Sequence, residues 1–284
     1  MSAVDPRLTL VRDGLADLRL QGLIPAERFA RTRACTIISP SAPLTGASDP
    51  AAERASELLF GEGFDVLSED GEYAFGQTAR DGYVGFVQKA ALRQGAPSPR
   101  WRVSALRTYA FAEPSIKSAA IGPFSRNALI EADRSEGRFV HAIGAGWFVR
   151  EHLAPIGRFD ADPARLALDY LGTPYLWGGV SSLGLDCSGL VQQALRACGR
   201  ACPRDSDQQR SLGRAIEPQD GLARGDLVFW PGHVALLTGP DEIVHANAHH
   251  MAVVREPLAE AVARIKQATG SDPMAWRRLS FESP

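Results

Sequence analysis

A thiol and two imidazoles carry the chemistry of this chain. Cys187 lies in the run Leu185-Asp186-Cys187-Ser188-Gly189-Leu190, at the head of an apolar, helix-prone segment. Peptide dipoles at a helix start favour thiolate and lower a cysteine pKa from about 8.5 by a unit or more. The free N–H groups at the same end offer a seat for a tetrahedral oxyanion. The bland alternative is a small apolar residue in a helix, the usual fate of a free cysteine. His233 and His245 stand 12 positions apart across a turn at Gly239-Pro240-Asp241. A two-strand hairpin of that length brings two side chains together. One ring would take the thiol proton and the other would hold the first in its productive tautomer. Either histidine by itself reads as a satisfied sheet residue.

A zinc cluster of His245, His249 and His250 with Cys187 or an acid is a weaker alternative. Those histidines fall on a strand-to-loop stretch without helical spacing, and Cys198 and Cys202 have the wrong separation for a knuckle. No metal and no cofactor are expected.

These side chains need a helix packed on a sheet. Asp162-Pro163 opens one helix as N-cap and first-turn proline, and Gly172-Thr173-Pro174 stops it. A second helix is expected from Cys187 to Ala197, with Gly199 ending it. Strand runs at 226–230, 233–237 and 242–246 follow in sequence and predict an antiparallel sheet, so residues 160–284 read as an α+β domain. Upstream, residues 1–30 read as a helical segment, with Leu8, Leu10, Val11, Leu15, Leu18 and Leu20 partly on one face. Short β runs separated by Asp70-Gly71 and Asp81-Gly82 predict a small β-barrel over 31–95. Gly95-Ala96-Pro97-Ser98-Pro99 reads as a linker, and 99–155 as a second barrel. Gly85-Phe86-Val87 and Gly146-Trp147-Phe148-Val149 make the two a degenerate repeat.

With 284 residues, two or three domains are expected. Lys+Arg 31 against Asp+Glu 33 leaves a net charge of -2, which gives no reason to expect a nucleic-acid or membrane partner. No segment approaches the roughly 20 apolar residues of a membrane span. Four cysteines without a disulfide pattern, and a start without a basic and apolar leader, lead to the expectation of a cytoplasmic protein. Oligomeric state is left open.

Five blocks, in order, resemble the NlpC/P60 cysteine peptidases: Tyr175-Leu176-Trp177-Gly178-Gly179, Asp186-Cys187-Ser188-Gly189-Leu190, Pro203-Arg204-Asp205-Ser206-Asp207-Gln208-Gln209, Gly225-Asp226-Leu227-Val228-Phe229 and Gly232-His233-Val234-Ala235-Leu236. The resemblance implies a papain-like core with Cys187 as nucleophile, His233 as base and His245 as the orienting residue. The upstream modules are similar to bacterial SH3 domains, through residues 56–62 and 81–87 and, more weakly, 146–149. That combination resembles the γ-D-glutamyl-L-diamino acid endopeptidases, which cut short murein peptides whose L-Ala amine is free. The implied substrate-binding residues are Tyr175, Asp186, Ser188 and Ser206, with Glu57 and Tyr83 from the first SH3-like module. The competing reading for Glu57 is an exposed strand charge and for Tyr83 a core aromatic. Arg204 serves a substrate carboxylate or is a surface charge. An exported or phage-type wall hydrolase with SH3 targeting modules is the alternative enzyme, and a non-catalytic wall-peptide binder the alternative outside enzymology.

Overall fold

The computed structural model describes residues 4–280, so the outermost ends of the expected first and last segments, 1–3 and 281–284, lie outside the described residues. Two compact units follow one another, divided between Ile156 and Gly157.

The N-terminal unit is built almost entirely from strands. The helix expected over 1–30 is absent from the described part of that stretch. Val11–Arg12 and Leu15–Asp17 form a hairpin instead, with Arg28–Ala30 beside it. Asp13 and Gly14 decide this: both take positive φ, 51° and 73°. That is the geometry of the two-residue Asp-Gly hairpin turn, whereas a helix requires negative φ throughout. Leu10 then packs with Tyr73, Phe75 and Phe86 instead of joining a helical stripe.

A seven-stranded antiparallel sheet follows, ordered Leu92–Gln94, Arg33–Ile37, Gly63–Asp70, Tyr73–Thr78, Val84–Gln88, Ser41–Thr45 and Arg54–Leu59. The Asp70-Gly71 signal sits where the strands turn, with Asp70 paired to Tyr73. Ile37, Leu44, Leu58, Phe64 and Val87 form its core. The ladder bends at register shifts after Val66 and Leu44. Among the described residues the ladder ends at Leu92–Gln94 and Arg54–Leu59, and no closed barrel is found there. The strands of residues 99–155 divide into a three-stranded and a five-stranded ladder. The two strand sets meet at Phe60 and Phe124, whose rings stand edge to face at 5.2 Å. Leu129 N–H donates to Phe60 O there (2.8 Å). Gly61, at φ 77°, fits against Leu129 because a Cβ would come 2.0 Å from its carbonyl oxygen.

The C-terminal unit is α+β. Its six-stranded sheet runs Arg214–Ile216, Ala275–Arg278, Leu227–Trp230, His233–Gly239, Glu242–Asn247 and Ala252–Pro257, with all neighbours antiparallel. Helices α1 (Pro163–Leu168) and α2 (Cys187–Ala197) pack on the His233–Gly239 and Glu242–Asn247 strands. Asp162 caps α1 by accepting from Arg165 N–H, and Pro163 sits in its first turn. A one-turn helix α3 (Ser206–Gln209) follows α2. Helix α4 (Leu258–Thr269) lays Leu258, Ala261, Val262 and Ile265 on Val228, Trp230, Leu237 and Ile243. No helix among the described residues is long and apolar enough to cross a membrane.

Candidate active site

Asp186 is the N-cap of α2, which makes Cys187 the first helical residue. The thiol is buried, and its Sγ lies 4.0 Å from Gly232 O. Backbone N–H groups of Val234 and Ser188 are directed at the sulfur. Gly232 and Val234 flank His233, so the sulfur rests against the stretch of strand that carries His233. Gly189 belongs to the same construction: a Cβ there would meet Gly179 O at 2.3 Å, so only glycine lets α2 begin this close to the preceding loop. That loop is tied in turn to the sheet, with Pro174 bridged to Ala252 and Tyr175 N–H donating to Met251 O (2.9 Å).

His233 Nε2 and His245 Nδ1 are 2.8 Å apart, with the rings inclined at 62°. His245 is fully buried, while His233 keeps one edge open to solvent. Beyond them, His245 Nε2 stands 2.6 Å from Glu256 Oε1 and 2.9 Å from Asn247 Nδ2. Burial pushes the thiol of Cys187 up to about 12, and the Asp186 charge pushes the same way against the Val234 and Ser188 amides and Arg204. Burial, then His245 and Arg264, push His233 down to about 3 against the pull of Glu256. Burial also lowers His245, with Glu256 opposing. All three shifts push toward the uncharged forms. In an arrangement of this kind a thiol can ionise as its sulfur attacks, with a neighbouring imidazole taking the proton in the same event.

The remaining expected site residues divide into two groups. Asp186, Ser188 and Arg204 form one buried knot. Asp186 Oδ1 accepts from Gly189 N–H (2.7 Å), Ser188 Oγ (3.2 Å) and Arg204 Nη1 (3.0 Å). Its Oδ2 accepts from Gly178 N–H (2.9 Å) and Arg204 Nη2 (2.6 Å). Arg204 is 1% exposed and also donates to Ser188 Oγ (2.8 Å). Five donors thus converge on a carboxylate with about four lone-pair sites. Asp186 therefore has none left for a substrate ammonium, and Arg204 is neither a surface charge nor free for a substrate carboxylate. Tyr175 is half-buried; burial raises its hydroxyl pKa, and the neighbouring Cys187 and Asp186 push the same way. Ser206 opens α3 behind the Asp205–Gln208 capping box, and Gln209 Nε2 ties that turn to Ser188 O (3.0 Å). Glu57 and Tyr83 belong to the N-terminal unit. Glu57 is buried within 3.5 Å of Arg54, so it is not the exposed strand charge considered for it, and Tyr83 packs in the core with Phe64 and Leu58.

Sequence reasoning missed Glu256, Arg264 and Asn247. The apolar spacing Leu258, Ala261, Val262 and Ile265 was the available signal for α4, and with it for an acid just before the helix and a base on it. Among the described residues no cluster of histidine, cysteine and acid side chains is arranged to hold a metal. His249 and His250 stack edge to face at 4.7 Å, and Asn247 Oδ1 accepts from His250 N–H (2.8 Å).

Comparison with known proteins agrees with this arrangement. Residues 172–268 match the sequence profile of the NlpC/P60 family, and residues 44–92 that of the bacterial dipeptidyl-peptidase Sh3 domain. A γ-D-glutamyl-L-lysine dipeptidyl-peptidase of Bacillus subtilis is 30% identical over 212 residues, which cover 67% of this chain and 71% of that protein. The chain belongs to the NlpC/P60 family. A second relative of this NlpC/P60 chain, dipeptidyl-peptidase 6 of Lysinibacillus sphaericus, is 29% identical over 74% of this chain and 86% of its own. The crystal structure of an NlpC/P60 family protein from Bacillus cereus shares the fold, with a TM-score of 0.73 at 20% identity, covering 86% of this chain and 99% of that one. The relatives of this NlpC/P60 chain thus include dipeptidyl-peptidases and peptidoglycan endopeptidases.

Proposed function

We propose that the protein hydrolyses the bond between γ-D-Glu and the following diamino acid in short murein peptides with a free N-terminal L-Ala. The 2.8 Å bond between His233 and His245, beside a thiol at a helix start, is the observation that carries this reading. With Nε2 of His233 engaged by His245, Nδ1 is the ring nitrogen left for the thiol. As Sγ attacks the γ-glutamyl carbonyl carbon, the S–H proton passes to Nδ1 and the carbonyl oxygen becomes an oxyanion facing the first turn of α2. Collapse of that adduct breaks the C–N bond, and the proton on Nδ1 moves to the departing amine. A thioester remains. Water then attacks it, giving its proton to Nδ1, and the returning sulfur recovers a proton as the γ-glutamyl acid leaves.

Selection for a free amine is supported by the names of the dipeptidyl-peptidase relatives. Since Asp186 is saturated, the groups in the C-terminal unit proposed to meet the ammonium are the hydroxyls of Tyr175 and Ser206. A second SH3-like module over 99–155, repeating the matched one, belongs to the proposal, as does recycling of murein peptides in the cytoplasm. The cytoplasmic part is supported by four cysteines whose spacing shows no disulfide pattern.

The decisive experiment offers the reduced protein L-Ala-γ-D-Glu-diaminopimelate, its lysine counterpart, the N-acetylated forms and purified sacculi. Release of L-Ala-D-Glu from the free-amine peptides alone is the expected result. Clearing of sacculi with equal rates on acetylated peptides would overturn the specificity and favour a wall hydrolase. Fractionation of the producing cell tests the location.

A further inference from the structure

We propose that Glu256, braced by Arg264, is a positioning residue that sets the proton arrangement of both histidines and so leaves Nδ1 of His233 bare to act as base. The inference rests on the cysteine–histidine–histidine reading above and is independent of the substrate.

Sheet register places Glu256 where it acts. His245 pairs with Val254, and Glu256 lies two residues further along the same strand. It therefore shares the sheet face of His245 on the diagonal. The chain turns from Pro257 directly into α4, whose apolar side packs on that face and returns Arg264 to Glu256. Glu256 Oε1 receives both His245 Nε2, at 2.6 Å, and a guanidinium N–H of Arg264. Burial pushes the Glu256 carboxyl up, but the hydrogen bond from His245 and the charges of His245 and Arg264 outweigh this and hold it below the usual range.

An ionised carboxylate only accepts hydrogen bonds. His245 must then carry its proton on Nε2, which leaves its Nδ1 as an acceptor. That acceptor requires a donor 2.8 Å away, so His233 carries its proton on Nε2. The nitrogen remaining on His233, Nδ1, is bare. One neighbour favours the reverse. Asn247 Oδ1 is committed to His250 N–H (2.8 Å), so its amide N–H₂ points at His245 Nε2 from 2.9 Å. If that donor prevailed, His245 would be protonated on Nδ1, His233 would accept on Nε2, and its proton would sit on Nδ1. The base would be lost. A charge-assisted bond is roughly twice as strong as a neutral one, so the carboxylate wins. Glu256 thus chooses between two proton arrangements that the two rings alone would leave open.

The test uses the full chain with ¹⁵N-labelled histidine, reading tautomers from long-range ¹H–¹⁵N couplings, and the rate at which iodoacetamide alkylates Cys187. In the wild-type protein both His233 and His245 should carry hydrogen on Nε2. Glu256→Gln should transfer the proton of His233 to Nδ1 and slow alkylation at Cys187 about tenfold or more, a smaller effect than the ~10⁴ seen when a directly bonded triad acid is neutralised. Adding Asn247→Ala to Glu256→Gln removes the competing donor and should restore part of the lost rate. A wild-type His233 protonated on Nδ1 would overturn the proposal, and this reading needs no variant to fold. So would a folded Glu256→Gln protein with unchanged tautomers and an alkylation rate within about twofold of wild type. A wild-type protein with the expected tautomers that leaves the murein tripeptide uncut would refute the substrate assignment and leave this inference standing.

Discussion

Replacing Asp186 by alanine should damage the C-terminal unit before it damages any binding event. The guanidinium of Arg204 is 1% exposed and gives two of its N–H groups to the Asp186 carboxylate, at 2.6 and 3.0 Å. Taking away one partner of a buried pair strands the other charge, a loss of about 3–5 kcal/mol. The same carboxylate caps α2 through Gly189 N–H, and losing a cap costs about 1 kcal/mol more. The total is about 4–6 kcal/mol, or a fall of about 15–25 °C in the unfolding midpoint at roughly 4 °C per kcal/mol for a unit of this size. Tryptophan emission reads the transition, because Trp230 and Trp276 lie in the core under α4. Pairing the change with Arg204→Leu removes the stranded charge and should recover at least half of the loss. An Asp186→Ala protein within about 1 kcal/mol of wild type would refute the reasoning, as would a double variant no more stable than the single one. Selective loss of free-amine peptides by a stable Asp186→Ala protein would return Asp186 to the substrate.

Cys187→Ala should abolish turnover and leave the melting midpoint within about 1 kcal/mol, checked by peptide release and thermal unfolding. Stability should fall as pH drops from about 6.5 toward 3: the unfolded chain protonates His233 near its ordinary value while the folded unit keeps it neutral, so the unfolded state binds more protons in that window. Urea midpoints across that range test this, and a flat profile would count against the buried neutral pair. Stability should also decline above about pH 9, where the unfolded thiol of Cys187 gives up its proton and the folded one does not, and Cys187→Ala should remove that decline. Gly61→Ala should cost the N-terminal unit at least about 2 kcal/mol, since it combines a strained positive φ with a Cβ 2.0 Å from Leu129 O. A measured cost under about half a kcal/mol would show that the seam there adjusts freely.

The sequence was most legible where local rules and chemistry coincide. Asp162-Pro163 announced its helix because a cap and a first-turn proline act on the residues beside them. The alternation around His233 and His245 disclosed a hairpin, and the hairpin places the rings in contact. The segment before residue 30 was misread because its leucines mimic a helical stripe, although Asp13-Gly14 carried a turn signal of the same kind recognised at Asp70-Gly71. What decides Asp186 and Arg204 was out of reach, because their pairing across 18 positions depends on where the chain after α2 returns. Glu256 was hidden for a related reason. Its partners come from another strand and from a helix, so only the register reveals that it faces His245 at all.

The strand Ala275–Arg278 pairs with Arg214–Ile216 on one side and Leu227–Trp230 on the other. The most C-terminal of the described strands is therefore an interior member of its sheet. A nascent chain that has passed the ribosome exit only as far as α4 still lacks the piece that joins those two neighbours. The peptidase unit can finish folding only after every one of its strands has emerged, while the N-terminal unit is free to fold earlier. The thiol and its histidines thus come into working order only once Ala275–Arg278 is in place.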